Sequence, residues 1–231
     1  MTTLAERIIA FNKSLEFTGT LPEGIKILNP FRDNEYALEL SSEFYRKYYH
    51  DNNRRHLILG INPGRFGAGL TGVPFTDPKR LEANCGISNR GLKAHEPSSV
   101  FIYDMIKAFG GEEKFYSRFY IHSICPLGFT STNSKGRDVN YNYYDNPELL
   151  KSVYDFIVWN IKTQINMGVY TDVCFFLGTG KNQQFLQKFN KQFNFFQQLV
   201  ALEHPRYIMQ YKAKEKEDFI RKYLTTFEKT A

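Results

Sequence analysis

The chain has 231 residues and a net charge of +6, and 16% of its residues are aromatic. The length predicts a single domain over residues 1–231, and the absence of a run of about eighteen apolar residues argues against a membrane span. The three cysteines lack the C-x-x-C spacing of zinc sites and the amino terminus lacks the features of a signal peptide, so we expect an intracellular protein whose modest positive charge permits nucleic-acid binding.

The hydrophobic pattern predicts alternating helices and strands. Strands are expected at 56–61, 118–124, 172–177 and 195–203. Helices are expected at 4–15, 31–49, about 98–109, 147–168 and 181–193, and a charged amphipathic helix follows the last strand. Because the connections are long enough for crossovers, we predict an α/β fold: a three-layer α/β/α arrangement with a mainly four-stranded parallel central sheet. The helices within residues 1–50 are expected to pack on it.

A glycine-rich loop follows the first predicted strand. Residues 60–75 read GINPGRFGAGLTGVPF, with five glycines and two prolines, which predicts a rigid loop whose backbone is bare. The loop begins at the carboxyl edge of the sheet, where open α/β sheets bind their ligands. Asn62 offers an amide and Phe75 a flat apolar face. This combination favours the binding of a planar, polar small group.

Two other interpretations of this loop compete with a planar-ligand site. Residues 67–72 match the dinucleotide-binding pattern G-x-G-x-x-G. That pattern must open a helix, and Pro74 and Pro78 prevent a helix from running on through this segment. The other interpretation is a tight glycine turn with only a structural role.

Polar residues also stand at the ends of the second and fourth predicted strands, whereas Gly178 follows the third. Ser123 and His204 stand at the ends of the second and fourth strands, so their side chains are expected to share one crevice with Asn62. A single strand-end histidine is commonly a structural group with a satisfied hydrogen bond. The position of His204 beside the crevice favours a functional role instead. His122 precedes Ser123 and is expected to point to the opposite face of its strand.

Two further segments carry polar side chains. The turn at 178–182, GTGKN, lacks the spacing of a Walker motif, but the helix that begins near Lys181 offers N–H groups and a cation to a phosphate. An ordinary strand–helix turn is the alternative. Residues 128–145 are expected to form a long tyrosine-rich loop that lines a nucleic-acid path or covers buried tyrosines at the surface.

Three segments together resemble the motifs of single-strand-selective monofunctional uracil-DNA glycosylases. The first motif is similar to residues 60–75, the middle motif to HSICPL at 122–127, and the start of the last motif to His204-Pro205. Their order and spacing also agree, so the resemblance covers roughly residues 55–225. The first motif is highly specific, and the two shorter ones become specific in combination.

The resemblance implies an enzyme that hydrolyses the bond between a damaged base and deoxyribose, with DNA as its partner and without a metal or cofactor. The base is flipped out of the stack and stacks on Phe75. Backbone groups near Ile61 and Phe75 bond its edges. Asn62 orients the attacking water, because an amide cannot accept a proton as a carboxylate does. His204 donates a hydrogen bond to the base oxygen as negative charge collects there.

The sequence departs from the family pattern at three places. Ser123 stands where the family carries an asparagine that reads the base edge, and Gly64 stands where the most uracil-restricted relatives carry a bulky ring. Both changes predict a broader base pocket. The residues after His204-Pro205 differ as well, so the wedge that fills the gap left by the flipped base is Arg206, Tyr207 or Ile208.

The resulting prediction is a monomeric, monofunctional DNA glycosylase of base-excision repair that does not bind membranes. No strand cleavage is expected, because no lysine is placed at the crevice to form a Schiff base. One alternative is a catalytically weak binder of damaged or single-stranded DNA, which would keep the stacking ring and the basic rim. Another is a hydrolase of nucleosides or other small molecules on the same fold.

Overall fold

Strands and helices alternate through residues 2–230, the part of the chain that the computed structural model describes. The strands are β1 (Ile25–Leu28), β2 (Arg55–Gly60), β3 (Phe119–Ser123), β4 (Gly128–Thr132), β5 (Asp138–Tyr141), β6 (Val169–Leu177) and β7 (Gln198–Leu202). The helices are α1 (Leu4–Ser14), α2 (Pro30–Asp33), α3 (Ala37–Tyr48), α4 (Ala68–Thr71), α5 (Pro78–Ala83), α6 (Pro97–Phe109), α7 (Glu112–Tyr116), α8 (Pro147–Asn166), α9 (Lys181–Phe193), α10 (Pro205–Tyr211) and α11 (Lys216–Thr230).

The central sheet has the strand order β3-β2-β6-β7, and all of its neighbouring strands run parallel. Strands β2 and β3 are buried along their whole length, as expected when helices cover both faces of a parallel sheet. The register pairs Gly60 with Ser123 and Leu177 with Leu202, so the carboxyl ends of the strands meet at one edge. The predicted α/β class and four-stranded parallel sheet are confirmed. No helix within residues 2–230 is long and apolar enough to cross a membrane.

A second, antiparallel sheet replaces the predicted loop at 128–145. Its strand order is β1-β4-β5, with Phe129 opposite Tyr141. The turn between β4 and β5 is closed by the Asn133 side chain, whose oxygen accepts hydrogen bonds from the N–H groups of Lys135 and Arg137 at 3.0 Å each. The loop prediction was wrong because these two strands are short and include Gly, Ser, Asn and Asp, which are more typical of turns than of strands.

The helix predicted at 31–49 is divided into α2 and α3. The break lies at Asn34, whose Oδ1 accepts a hydrogen bond from the Tyr36 N–H at 2.9 Å. Its amide group donates to the carbonyl of Leu70 at 2.9 Å. Asn34 therefore interrupts the helix and ties the amino-terminal segment to the glycine-rich loop.

Candidate active site

A cavity of about 160 Å³ opens at the carboxyl edge of the central sheet. Every residue that the sequence analysis assigned to catalysis or base binding lines it: Asn62, His204, Ile61, Gly64, Phe75 and Ser123. Arg206 of α10 completes the wall on one side. The cavity also contains residues that the sequence analysis did not assign to the site: Pro63, Ala68, Pro74, Glu96, Ser98, Asn140 and Asn142.

The amide of Asn62 is held in one orientation by the segment around β5. Its Nδ2 donates to the carbonyl of Tyr141 at 3.2 Å, and its Oδ1 accepts from the N–H of Tyr143 at 3.2 Å. A carbonyl oxygen has two lone pairs, so one lone pair of Oδ1 stays available for a further donor such as water. The sequence analysis missed this clamp because it interpreted the segment as an irregular loop.

Phe75 presents its ring through a strained backbone. Its φ of +53° lies in the left-handed region, which is uncommon for a bulky residue. The hydroxyl of Thr71 stabilises this turn by donating to the carbonyl of Thr76 at 2.7 Å and accepting from the N–H of Val73 at 3.1 Å. The ring lies close against Gly60, where a Cβ would come within 2.8 Å of Cε2 of Phe75. The glycine is therefore required for the position of the ring.

His204 is oriented by the helix that it precedes. As the N-cap of α10, its Nδ1 accepts a hydrogen bond from the N–H of Arg206 at 3.1 Å, so the proton of the neutral ring is on Nε2. Burial in the first place, and the charge of Arg206 in the second, lower the pKa of His204 to about 4. The ring lies 5.6 Å from the ring of Phe75, centroid to centroid. At neutral pH this site offers an uncharged N–H donor next to a flat aromatic face.

The middle motif is fixed by a buried asparagine of α8. Nδ2 of Asn160 donates to the carbonyls of Ser123 and Ile124 at 2.9 and 3.0 Å. Its Oδ1 lies 3.1 Å from Nε2 of His122. His122 packs on Tyr120 and does not line the 160 Å³ cavity, and burial lowers the pKa of this histidine to about 4. These contacts hold Ser123 at the cavity wall.

Glu96 is an ionisable residue of the cavity that sequence reasoning missed. It precedes α6, and its backbone N–H donates to Oδ2 of the buried Asp77 at 2.9 Å. The carboxyl group lies over the glycine-rich loop: a Cβ on Gly67 would overlap it, and a Cβ on Gly64 would lie 3.4 Å from Oε1. Burial first, and the charge of Asp77 second, raise the pKa of Glu96 to about 7. No motif surrounds Glu96, so the sequence held no signal for it.

The residues expected to contact DNA occupy different environments. Arg206 is exposed, and its guanidinium has no hydrogen-bond or ion-pair partner among residues 2–229. Tyr207 is 45% exposed, whereas Ile208 is completely buried. Ile208 is therefore unable to act as the wedge, which leaves Arg206 and Tyr207. Lys181 is exposed at the start of α9 and does not line the cavity.

Comparison with known proteins places this chain in a family. Residues 46–228 match the family model of the Uracil DNA glycosylase superfamily. The single-strand selective monofunctional uracil-DNA glycosylase of Rattus norvegicus is 27% identical over 131 residues, which are 49% of this chain and only 45% of that relative. The crystal structure of wild-type SMUG2 from Pedobacter heparinus is 58% identical and superimposes with a TM-score of 0.97 over 99% of this chain and 98% of that one. The chain thus belongs to the uracil-DNA glycosylase superfamily, as a SMUG-like member.

Proposed function

We propose that this protein is a monofunctional DNA glycosylase that flips and hydrolytically removes uracil and related damaged or deaminated bases from DNA in base-excision repair. The observation that carries the proposal is the convergence of an oriented amide, a flat ring and a neutral histidine in one cavity, namely Asn62, Phe75 and His204. Flipping a base costs a few kcal/mol, and stacking on the Phe75 ring offsets part of this cost.

Asn62 orients the water that attacks the sugar. Tyr141 and Tyr143 occupy one donor and one acceptor position of its amide, and the second lone pair of Oδ1 accepts a hydrogen bond from the water. An amide does not take up a proton at neutral pH. Asn62 therefore assists a reaction in which the bond to the base breaks early and the sugar gains oxocarbenium character.

His204 stabilises the departing base. Because its Nδ1 accepts the N–H of Arg206, Nε2–H is the group that can donate to a base oxygen. A low pKa keeps the ring neutral at neutral pH, so the donor acts without transferring its proton. Loss of one such donor to a developing oxyanion typically reduces the rate by about 10²–10³.

The pocket accepts bases larger than uracil. Gly64 has no side chain to fill the wall beside Asn140 and Glu96, and Ser123 is shorter than an asparagine. We expect excision of substituted uracils and of a deaminated purine such as xanthine. Excision confined strictly to uracil across a panel of lesions would contradict this part of the proposal.

The reaction stops at the abasic site. Among the described residues no lysine lines the cavity, so no amine is placed to form a Schiff base with the sugar. The strand should therefore break only after treatment with alkali. Spontaneous strand cleavage by the purified protein would contradict monofunctional chemistry.

The test is excision from single- and double-stranded oligonucleotides that carry uracil, hydroxymethyluracil, xanthine or hypoxanthine, followed by alkali. Asn62→Ala and His204→Ala should abolish or severely reduce product, while their DNA affinity stays nearly unchanged. Asn53→Ala and His50→Ala are matched controls, because both residues are exposed and lie outside the cavity. If the wild type excises nothing but binds damaged single strands, the protein is a binder. If free nucleosides compete with oligonucleotides, it is a small-molecule hydrolase.

A further inference from the structure

A second, larger cavity adjoins the base cavity. We call it the side groove; its volume is about 440 Å³, against about 160 Å³ for the base cavity. Glu96, Asn140 and Arg206 form part of the wall of both. Phe66 and Gln210 line the side groove but not the base cavity. A polymer whose flipped unit occupies the base cavity would therefore pass through or beside this groove.

Phe66 is unusually exposed for a phenylalanine of this chain. Half of its surface is accessible to solvent, and among the described residues it is the one phenylalanine in the group of exposed large apolar side chains. Leaving half of such a side chain in water forgoes about 1 kcal/mol of burial. An exposed aromatic next to a functional cavity is typical of a binding surface.

The ring of Phe66 stands on a rigid support. Oδ1 of Asn140 accepts hydrogen bonds from the backbone N–H and from Nε of Arg65 at 3.2 and 3.3 Å. The guanidinium carbon of Arg65 lies 4.9 Å from the centroid of the Phe66 ring. The N–H of Gly69 donates to the carbonyl of Gly64 at 2.8 Å and so closes the short segment that contains Phe66. The ring is thus presented without a flexible loop, which limits the entropy lost when a ligand stacks on it.

The charge of the groove suits a phosphate next to an aromatic face. Arg206 brings a guanidinium without a hydrogen-bond or ion-pair partner among residues 2–229, and Arg65 brings a second cation. The one acidic group in the wall is Glu96, which lies with Arg206 on the side shared with the base cavity and interacts with its charge, so the two arginines leave the groove with an excess of positive charge. A cationic groove combined with an exposed ring is the arrangement by which proteins bind single-stranded nucleic acid.

We propose that the side groove binds the nucleotide adjacent to the flipped one, with its base stacked on Phe66 and its phosphate next to Arg206, in single-stranded DNA. The inference rests on the proposed function, because it takes the base cavity as the site of the flipped base. In a duplex the adjacent base is paired and stacked on both sides, so it cannot reach Phe66 without further unpairing. In a single strand this cost is absent, and the subsite favours unpaired DNA.

The test is a thermodynamic cycle in which the Phe66 ring and the neighbouring DNA base are removed separately and together. Single-stranded oligonucleotides carry a non-hydrolysable 2′-fluoro-deoxyuridine, with the neighbouring base either intact or replaced by an abasic spacer on the 5′ or the 3′ side. Dissociation constants are measured by fluorescence anisotropy for the wild type and for Phe66→Ala. We expect a spacer on one side to weaken wild-type binding by about 5- to 150-fold, as for the loss of one base–aromatic stack. Phe66→Ala should bind the intact strand more weakly than the wild type does, by a similar factor. The same spacer should not weaken the binding of this variant any further.

Further variants keep the test decisive. Phe66→Trp should restore binding, while Phe66→Leu, which keeps apolar contacts without a flat ring, should behave like Phe66→Ala and replaces it if the alanine variant does not fold. Tyr170→Ala is the matched control, because Tyr170 is exposed and lines neither the base cavity nor the side groove. The proposal is overturned if Phe66→Ala binds the intact strand like the wild type, or if the spacer weakens this variant as much as it weakens the wild type.

The outcome is independent of excision. Coupling between Phe66 and the spacer in a protein that excises no base would support the groove and reject the glycosylase. Excision without such coupling would support the glycosylase and reject the groove. The ratio of single-strand to duplex affinity should also fall in Phe66→Ala, because the stacking lost is specific to unpaired DNA.

Discussion

Glu96 should make the stability of this protein fall as the pH rises from about 4.5 to about 7. The pKa of its carboxyl group is raised from the ordinary 4.5 to about 7, through burial first and the charge of Asp77 second. Between these two pH values the folded protein retains a proton that the unfolded chain releases, so the stability that Glu96 contributes at low pH is lost as the pH rises through about 7. The difference, at about 1.36 kcal/mol per pKa unit, amounts to about 3.4 kcal/mol. Since the side chain is partly exposed, solvent screening reduces this to about 1–3 kcal/mol.

Glu96→Gln removes this titration and keeps the shape of the side chain. At about pH 4 Glu96 is protonated in both the folded and the unfolded chain, so the two proteins should be nearly equally stable; at about pH 8 the variant should be more stable by about 1–3 kcal/mol. Urea unfolding at several pH values between these limits measures the difference. Glu23→Gln, at an exposed site, is the control. An equal stability at pH 8, or a difference of the same size at about pH 4, would refute the reasoning.

The same carboxyl group should affect excision. Negative charge collects on the base as its bond to the sugar breaks, and an ionised Glu96 in the cavity wall opposes that charge. At an effective dielectric constant of about 20, like charges a few ångströms apart repel by on the order of a few kcal/mol, which would lower the rate by on the order of tenfold above pH 7. Glu96→Gln should lose this decline, and a wild-type rate that is flat from about pH 6 to 8 would contradict it.

Three other predictions follow from the contacts of the site. Gly60→Ala places a Cβ 2.8 Å from the Phe75 ring, so KM for excision should rise while the melting temperature changes little; an unchanged KM would show that the ring does not bind the base. His204→Ala should reduce kcat by about 10²–10³. Because the pKa of His204 is lowered to about 4, protonation of this ring should not reduce the wild-type rate until the pH approaches that value. A loss of activity centred near pH 6.5 would contradict a neutral donor. Asn160→Ala leaves the carbonyls of Ser123 and Ile124 without their partner and should lower the free energy of unfolding by about 1–3 kcal/mol in urea titrations, whereas the exposed Asn53→Ala should not.

The residues that meet at the strand ends could be predicted from the sequence because topology alone brings them together. Asn62, Ser123 and His204 each stand at the end of an apolar run, and the carboxyl ends of parallel strands share one edge. The order of such runs along the chain does not depend on side-chain detail. For the same reason the class of the fold and the central sheet were predictable.

The groups that tune the site could not be predicted, because they depend on contacts between distant segments. Glu96 reaches the cavity only through the way its segment folds over Gly64 and Gly67, where the missing side chains leave room for its carboxyl group. The clamp on Asn62 comes from backbone atoms of Tyr141 and Tyr143. Every residue has the same backbone groups, so no residue type in the sequence indicates this contact. The short polar strands β4 and β5 owe their pairing to tertiary context rather than to their own propensity.

Because β5 holds the amide of Asn62, the candidate active site lies between two separately hydrogen-bonded sheets. Phe75 and His204 are positioned by the central sheet and its loops, whereas the water-orienting amide takes its direction from β5, whose sheet is completed by β1. Water alignment therefore depends on a different sheet from the one that positions the stacking ring and the histidine, although Asn140 of β5 also lines the base cavity. A substitution in β1, which does not line that cavity, should change the turnover number without displacing Phe75 or His204.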